Sequence, residues 1–284
     1  MKYNQLLVVI VLALTISGCR KQSVTVDNTN RTGGATSSTP ANQSSNSTTI
    51  ADLGDLKLKY QPRKHSRKSD KAPPGVGENE QAIAAVLADL NKKVALPFDV
   101  TLSVTDCEEP DAYYDPDAHD VVVCYQLIDQ YYELFALKIK DKTKLDEAVK
   151  GATAMTFFHE LGHALVDAWK LPITGKEEDA VDQVSTLVLL KRSDAGEQMA
   201  LSGALLFRLY GDLAKGDYKV YWDEHSLDEQ RFYDTICMIY GHNPAKYEYL
   251  IKDKTLPEER AVMCAADYER IEKSWKTLLA PYLK

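Results

Sequence analysis

Apolar positions recur at helical spacing through most of the chain beyond about residue 80, and cluster as in strands over two short stretches. Gln81–Val94 has the stripe of an amphipathic helix. Phe98–Val104 and the valine-rich Asp120–Tyr125 read as strands. Helical periodicity then returns in Gln126–Lys140, Asp146–Lys170, Glu177–Lys191, Gly196–Leu213, Leu227–Tyr240, Pro257–Cys264 and Asp267–Leu279. Ser226 and Glu229 have the spacing of a capping box at the start of one of these helices. The expected class is α+β: a mainly helical domain with a small sheet ahead of the long helix over 146–170.

The N-terminal part has a different texture. Lys2 precedes an apolar run from Leu6 to Ile16, followed by Ser17-Gly18-Cys19. A positive start, a short apolar core and small residues describe a secretory signal. The run is too short to span a bilayer comfortably. Ile16-Ser17-Gly18-Cys19 resembles a bacterial lipobox, which implies removal of residues 1–18 and lipidation of Cys19. Arg20 follows in place of an aspartate, which by the sorting habit of such lipoproteins implies the periplasmic face of the outer membrane. Residues 19–77 read as a linker, rich in Ser, Thr and Asn and then basic. That leaves 78–284 as one globular domain, long enough to bury a core.

Charge sharpens this division. The chain carries a net −8, unevenly spread. Residues 1–77 hold 11 Lys and Arg against 4 Asp, and the remainder holds 23 against 38 Asp and Glu. The basic stretch Lys57, Lys59, Arg63, Lys64, Arg67, Lys68 and Lys71 is either a solvated tail or a contact for anionic lipid or for the acidic domain. An acidic, exported domain argues against nucleic acid as a partner.

The helix over 146–170 carries candidate chemistry. Its centre reads Phe157-Phe158-His159-Glu160-Leu161-Gly162-His163, an H-E-x-x-H pattern. Two histidines four apart share a helix face and can ligate one ion, and the adjacent carboxylate can take a proton from a water on that ion. The chemistry expected is zinc-assisted hydrolysis, with His159 and His163 as ligands and Glu160 as general base. A third protein ligand is needed. The metzincin arrangement would need a glycine at Val166 and a histidine at Trp169, so it is excluded. Asp167 follows on the histidine face but stands roughly 12 Å from His159 along the axis, too far for one ion. Leu171-Pro172-Ile173-Thr174-Gly175 turns the chain, and Glu177-Glu178-Asp179 opens an antiparallel neighbour whose first turn faces the histidines.

Glu178 and Asp182 are four apart, and this E-x-x-x-D spacing resembles the gluzincins, the thermolysin-like metallopeptidases. The resemblance implies Glu178 as third ligand, with Glu177 as the alternative, and Asp182 as the carboxylate that holds a ligating histidine. A ligating imidazole ordinarily does donate its other N–H to such a group. The longer pattern F-F-H-E-L-G-H-A-L followed by L-P-I-T-G-K-E-E-D-A-V-D-Q is similar to a bacterial family of uncharacterised metallopeptidases known as a domain of unknown function. Tyr113–Pro116 with Val123–Tyr125, Asp223–Phe232, Arg260–Cys264 and Trp275–Pro281 fit the same resemblance, which covers roughly 80–284. It implies a zincin-like fold. By analogy with gluzincins the sheet offers an edge on which an extended peptide lies; Asp120–Cys124 is the candidate for that role, with a purely structural strand as the preferred reading.

Besides Cys19 there are four cysteines, an even number that suits two disulfides in an oxidising compartment. Of three pairings, Cys107 with Cys124 and Cys237 with Cys264 is the one expected. His225, in the polar cluster Asp223-Glu224-His225, is the candidate donor to a developing oxyanion, with Arg231 and Tyr114 as alternatives. The leading expectation is a membrane-anchored zinc metallopeptidase acting on a peptide or protein. A non-catalytic metal-binding or scaffolding lipoprotein and a zinc amide hydrolase acting on cell-envelope material are the alternatives.

Overall fold

Val121 and Val123 are completely buried, because Asp120–Cys124 lies inside a sheet and is covered on both faces. In a computed structural model, residues 50–61, 63, 76–214 and 221–284 are described, all within one compact unit, Asn46–Lys284. The expected signal segment, Cys19 and most of the expected linker lie outside them. Four strands form the sheet: β1 (Leu56–Tyr60), β2 (Val100–Thr105), β3 (Ala112–Asp115) and β4 (Asp120–Cys124), in spatial order β1-β2-β4-β3. β1, β2 and β4 run parallel, with Leu56 opposite Val100 and Thr101 opposite Asp120. β3 pairs antiparallel with β4, Ala112 opposite Val123.

Two expectations about the sheet are corrected by the structure. The linker expected over 19–77 already contains β1, whose Leu-Lys-Leu-Lys-Tyr alternation buries Leu56 while its lysines face out. The globular domain therefore starts before residue 78. β4 is an interior strand, not an edge: the free edge on its side belongs to β3, a strand not expected from the sequence pattern. The basic stretch also touches the domain's own acids, through Lys57 with Asp99 and Arg63 with Asp129.

Helices follow the sheet. α1 (Val76–Asn91) links β1 to β2, and β4 runs directly into α2 (Tyr125–Ala136). α3 (Lys142–Trp169) starts where the Asp141 carboxylate accepts from the Lys144 N–H at 2.9 Å. It ends with Lys170 in the left-handed region. α4 (Glu177–Leu190), α5 (Asp194–Leu213), α6 (Asp228–His242), the short α7 (Tyr249–Lys252) and α8 (Glu258–Leu279) complete the chain. α8 is one helix where two were expected. The capping box expected at Ser226 is displaced by one residue: the Gln230 side chain accepts from the Leu227 N–H at 3.1 Å.

α3 is the axis of the molecule. It packs on α5, α4 and α2, and its flank meets β3 and β4. At its end Trp169 stacks on Tyr282, donates to the Ala95 carbonyl at 2.9 Å, and has its own carbonyl bonded by the Tyr282 hydroxyl. Both expected disulfides are formed, Cys107–Cys124 beside the sheet and Cys237–Cys264 between α6 and α8. Among the described residues no helix is long and apolar enough to cross a membrane.

Candidate metal centre

α3 brings His159, Glu160 and His163 to one side of the molecule, where α4 faces them. The two helices approach closely because residue 162 is glycine. A Cβ there would meet the Val181 side chain at 2.9 Å, so any larger residue would force the helices apart. Between them, Gly175 takes a left-handed φ of 110° that lets the connecting turn reverse. The first turn of α4 is thereby laid against the histidine face of α3.

The contacts are specific. Glu178 Oε2 lies 3.0 Å from His159 Nε2, and Glu178 Oε1 lies 3.3 Å from His163 Nε2. The other nitrogen of each ring is held by a carboxylate. His159 Nδ1 is 2.7 Å from Asp182 Oδ1, and His163 Nδ1 is 2.8 Å from Glu177 Oε1. Such partners make Nδ1 the N–H donor and leave each Nε2 lone pair pointing at Glu178. His225 arrives from the loop before α6, with Nε2 also 3.0 Å from Glu178 Oε2. Among the described residues, His159, Glu178 and His225 form the group whose donor atoms all lie within 4.8 Å of one another.

Glu178 Oε2 is buried and makes no hydrogen bond of acceptable geometry, although two imidazole nitrogens stand 3.0 Å away. A buried carboxylate oxygen in that state is costly unless something between the groups satisfies it. Nitrogen lone pairs and a carboxylate oxygen meeting at one place suit a divalent cation, and the donor types suit zinc.

The electrostatics follow from the same contacts. Burial opposes charge on His159, but the Asp182 and Glu178 carboxylates beside it outweigh burial and lift the pKa of the metal-free imidazole to about 9. Burial works against the Asp182 anion, yet His159 and Arg231 hold its pKa down, to about 2. Glu178 is likewise held well below the usual carboxylate range by the three imidazoles, against the effect of burial. Glu160, only 8% exposed, is pushed up by burial, with the imidazoles opposing the shift. Among the described residues none hydrogen-bonds its carboxylate, which leaves it free to handle a proton.

The remaining residues sort by where they fall. Arg231 is not aimed at the cleft: Nε and an Nη donate to both oxygens of Asp182, at 2.7 and 2.9 Å, while its guanidinium lies over Phe207. Tyr114 lines the cleft, but its hydroxyl donates to Asp167 at 2.9 Å and so ties β3 to α3. Asp167 serves that tie and a contact with Lys170, away from the cluster. Glu177 is not among the atoms facing Nε2; it orients His163. Lys176 was not singled out from sequence, yet its ammonium bonds the carbonyls of Asp223 and His225 and so fixes the loop carrying His225. Applying the Nδ1-partner rule to His163 as well as His159 would have found Glu177.

These groups open onto a cleft of about 820 Å³, lined also by β3 residues Ala112, Tyr113 and Tyr114 and by Glu224 and His225. The class of protein defined is one with a metal-ready centre at the floor of a cleft that runs along a sheet edge. The chain belongs to the family DUF4344, described as "Putative metallopeptidase", whose model matches residues 60–279. That family implies a metal ion and a peptidase-type function. No curated protein and no solved structure matches the chain.

Proposed function

We propose that the protein is a zinc-dependent peptidase in which His159, His163 and Glu178 hold the cation and Glu160 is the general base. The observation that carries this is the convergence of imidazole Nε2 atoms on the unsatisfied Glu178 carboxylate, with Glu160 unbonded in the same cleft. When bound, a zinc ion supplies a Lewis acid that acidifies a water and polarises a carbonyl. The protein's own groups do the rest. Asp182, braced by Arg231, and Glu177 keep the ligand imidazoles in the tautomer with Nε2 free. Glu160, its pKa raised above the usual glutamate value by burial, takes the proton of the attacking water and returns it to the departing amine nitrogen. The β3 edge beside the centre offers backbone groups to which an extended peptide pairs.

We also propose that the chain is exported and anchored by lipid on Cys19, facing the periplasm from the outer membrane. Support for that comes from Lys2, the Leu6–Cys19 pattern and Arg20 after it. The catalytic reading is tested by assaying Glu160→Gln on peptide libraries, with metal content measured in parallel. Hydrolysis should be lost with metal retained. A variant that cleaves as fast as the wild type would overturn the role of Glu160.

A further inference from the structure

His225 shares the arrangement that marks His159 and His163 as ligands. Each of the three imidazoles has Nδ1 against a carboxylate: Asp182 at 2.7 Å, Glu177 at 2.8 Å and, for His225, Asp223 at 3.2 Å. Each turns Nε2 toward Glu178, at 3.0, 3.3 and 3.0 Å respectively. An oxyanion donor belongs where the substrate oxygen will sit. His225 Nε2 instead stands beside the same carboxylate oxygen as His159 Nε2, at the same distance. The loop is built to present it there. Asp223 Oδ1 accepts from the His225 backbone N–H at 2.8 Å, and Lys176 bonds the Asp223 and His225 carbonyls at 3.0 and 2.9 Å.

Resting on the reading of this site as a metal centre, we propose that His225 is a fourth protein ligand. The resting site is then a closed set of three imidazoles and one carboxylate. A closed shell describes structural zinc sites, whereas catalysis needs an open position. The two demands are reconciled if one ligand can leave, and His225 is the one suited to do so. Its side chain is 41% exposed, against 8% for His159 and 17% for His163. It also sits on a loop, where the other two share a helix. On a zinc ion held by these residues, His225 would be the ligand that yields its place to a substrate entering the cleft.

The test is X-ray absorption at the zinc edge on the full chain loaded with zinc, wild type against His225→Ala, with a competitive zinc titration of both. Three imidazoles in the wild type, two in the variant, and a zinc affinity at least about tenfold weaker in the variant support the proposal. Asp223→Asn keeps the imidazole and removes its anionic partner, so it should weaken binding by a smaller factor. Two imidazoles in the wild type, or a His225→Ala affinity within about twofold of wild type, would overturn it and return His225 to an oxyanion or rim role. No zinc bound by the wild type would overturn both this proposal and the metal centre beneath it.

Discussion

Two carboxylates withdrawn from solvent in this protein have histidine neighbours, and they are treated in opposite ways. Glu197 on α5, 7% exposed, is closed in by partners: the Tyr247 hydroxyl, the Lys246 ammonium at 2.7 Å and His242 Nε2 at 3.7 Å. His242 in turn meets the Tyr268 hydroxyl at 3.0 Å. Glu178 on α4 has imidazoles around it and still leaves Oε2 unsatisfied. The first cluster ends on its own hydrogen bonds, and it ties α5, α6, α8 and the turn after α6 together. The second spends its outward bonds on orientation, Asp182 and Glu177 holding Nδ1, and leaves its inner atoms facing one another. A polar cluster built for structure closes on itself, whereas one built to take a ligand keeps its best donors unspent.

Changes that exploit the open cluster should have the largest effects. Glu160→Gln should lower hydrolysis by about 10²- to 10⁴-fold with metal content unchanged, as measured by steady-state kinetics beside elemental analysis. Asp182→Asn removes the charge that orients His159 and engages Arg231. It should weaken zinc binding by about 10- to 100-fold in a chelator competition. Gly162→Ala inserts a methyl where Val181 stands 2.9 Å away, parting α3 from α4. It should cost about 1–3 kcal/mol in denaturant unfolding, and zinc affinity should fall with it.

The closed cluster should respond in stability alone. Glu197→Ala is expected to cost about 1–3 kcal/mol of unfolding free energy while zinc affinity stays at the wild-type value. If zinc binding fell as well, the contrast between the clusters would fail. The pH dependence sharpens this. Burial works against the Glu197 anion, but Lys246 and Tyr247 outweigh it and depress its pKa below the usual glutamate value. Its contribution is therefore present above the unfolded pKa and is lost as pH falls through the depressed one. Glu197→Gln should flatten the acid limb of the stability curve in chemical denaturation followed across pH.

How much of this was legible in the sequence depends on the range of the contacts. α3 and α4 were readable because helical periodicity is local, and the H-E-x-x-H pattern lies within one and a half turns. Glu178 and Asp182 followed from their spacing and the gluzincin resemblance, and the structure sets both against the histidines. β1 was hidden because its Leu-Lys alternation lies in a basic stretch with the composition of a linker. β3 was hidden because four residues beside a turn carry too little periodic signal. The function of Arg231 was out of reach for a different reason. It meets Asp182 across 49 residues, and only the packing of α6 against α4 makes that contact. The same holds for Lys176, whose bonds to the Asp223 and His225 carbonyls depend on where that loop returns.

The central claim, that His159, His163 and Glu178 converge to hold a metal ion, is tested most directly by the metal content of the purified full chain, wild type against His159→Ala. About one zinc per chain in the wild type, lost in the variant, is the result this account requires. A wild type that binds no metal would contradict it and leave the histidines as core residues around an ordinary buried carboxylate.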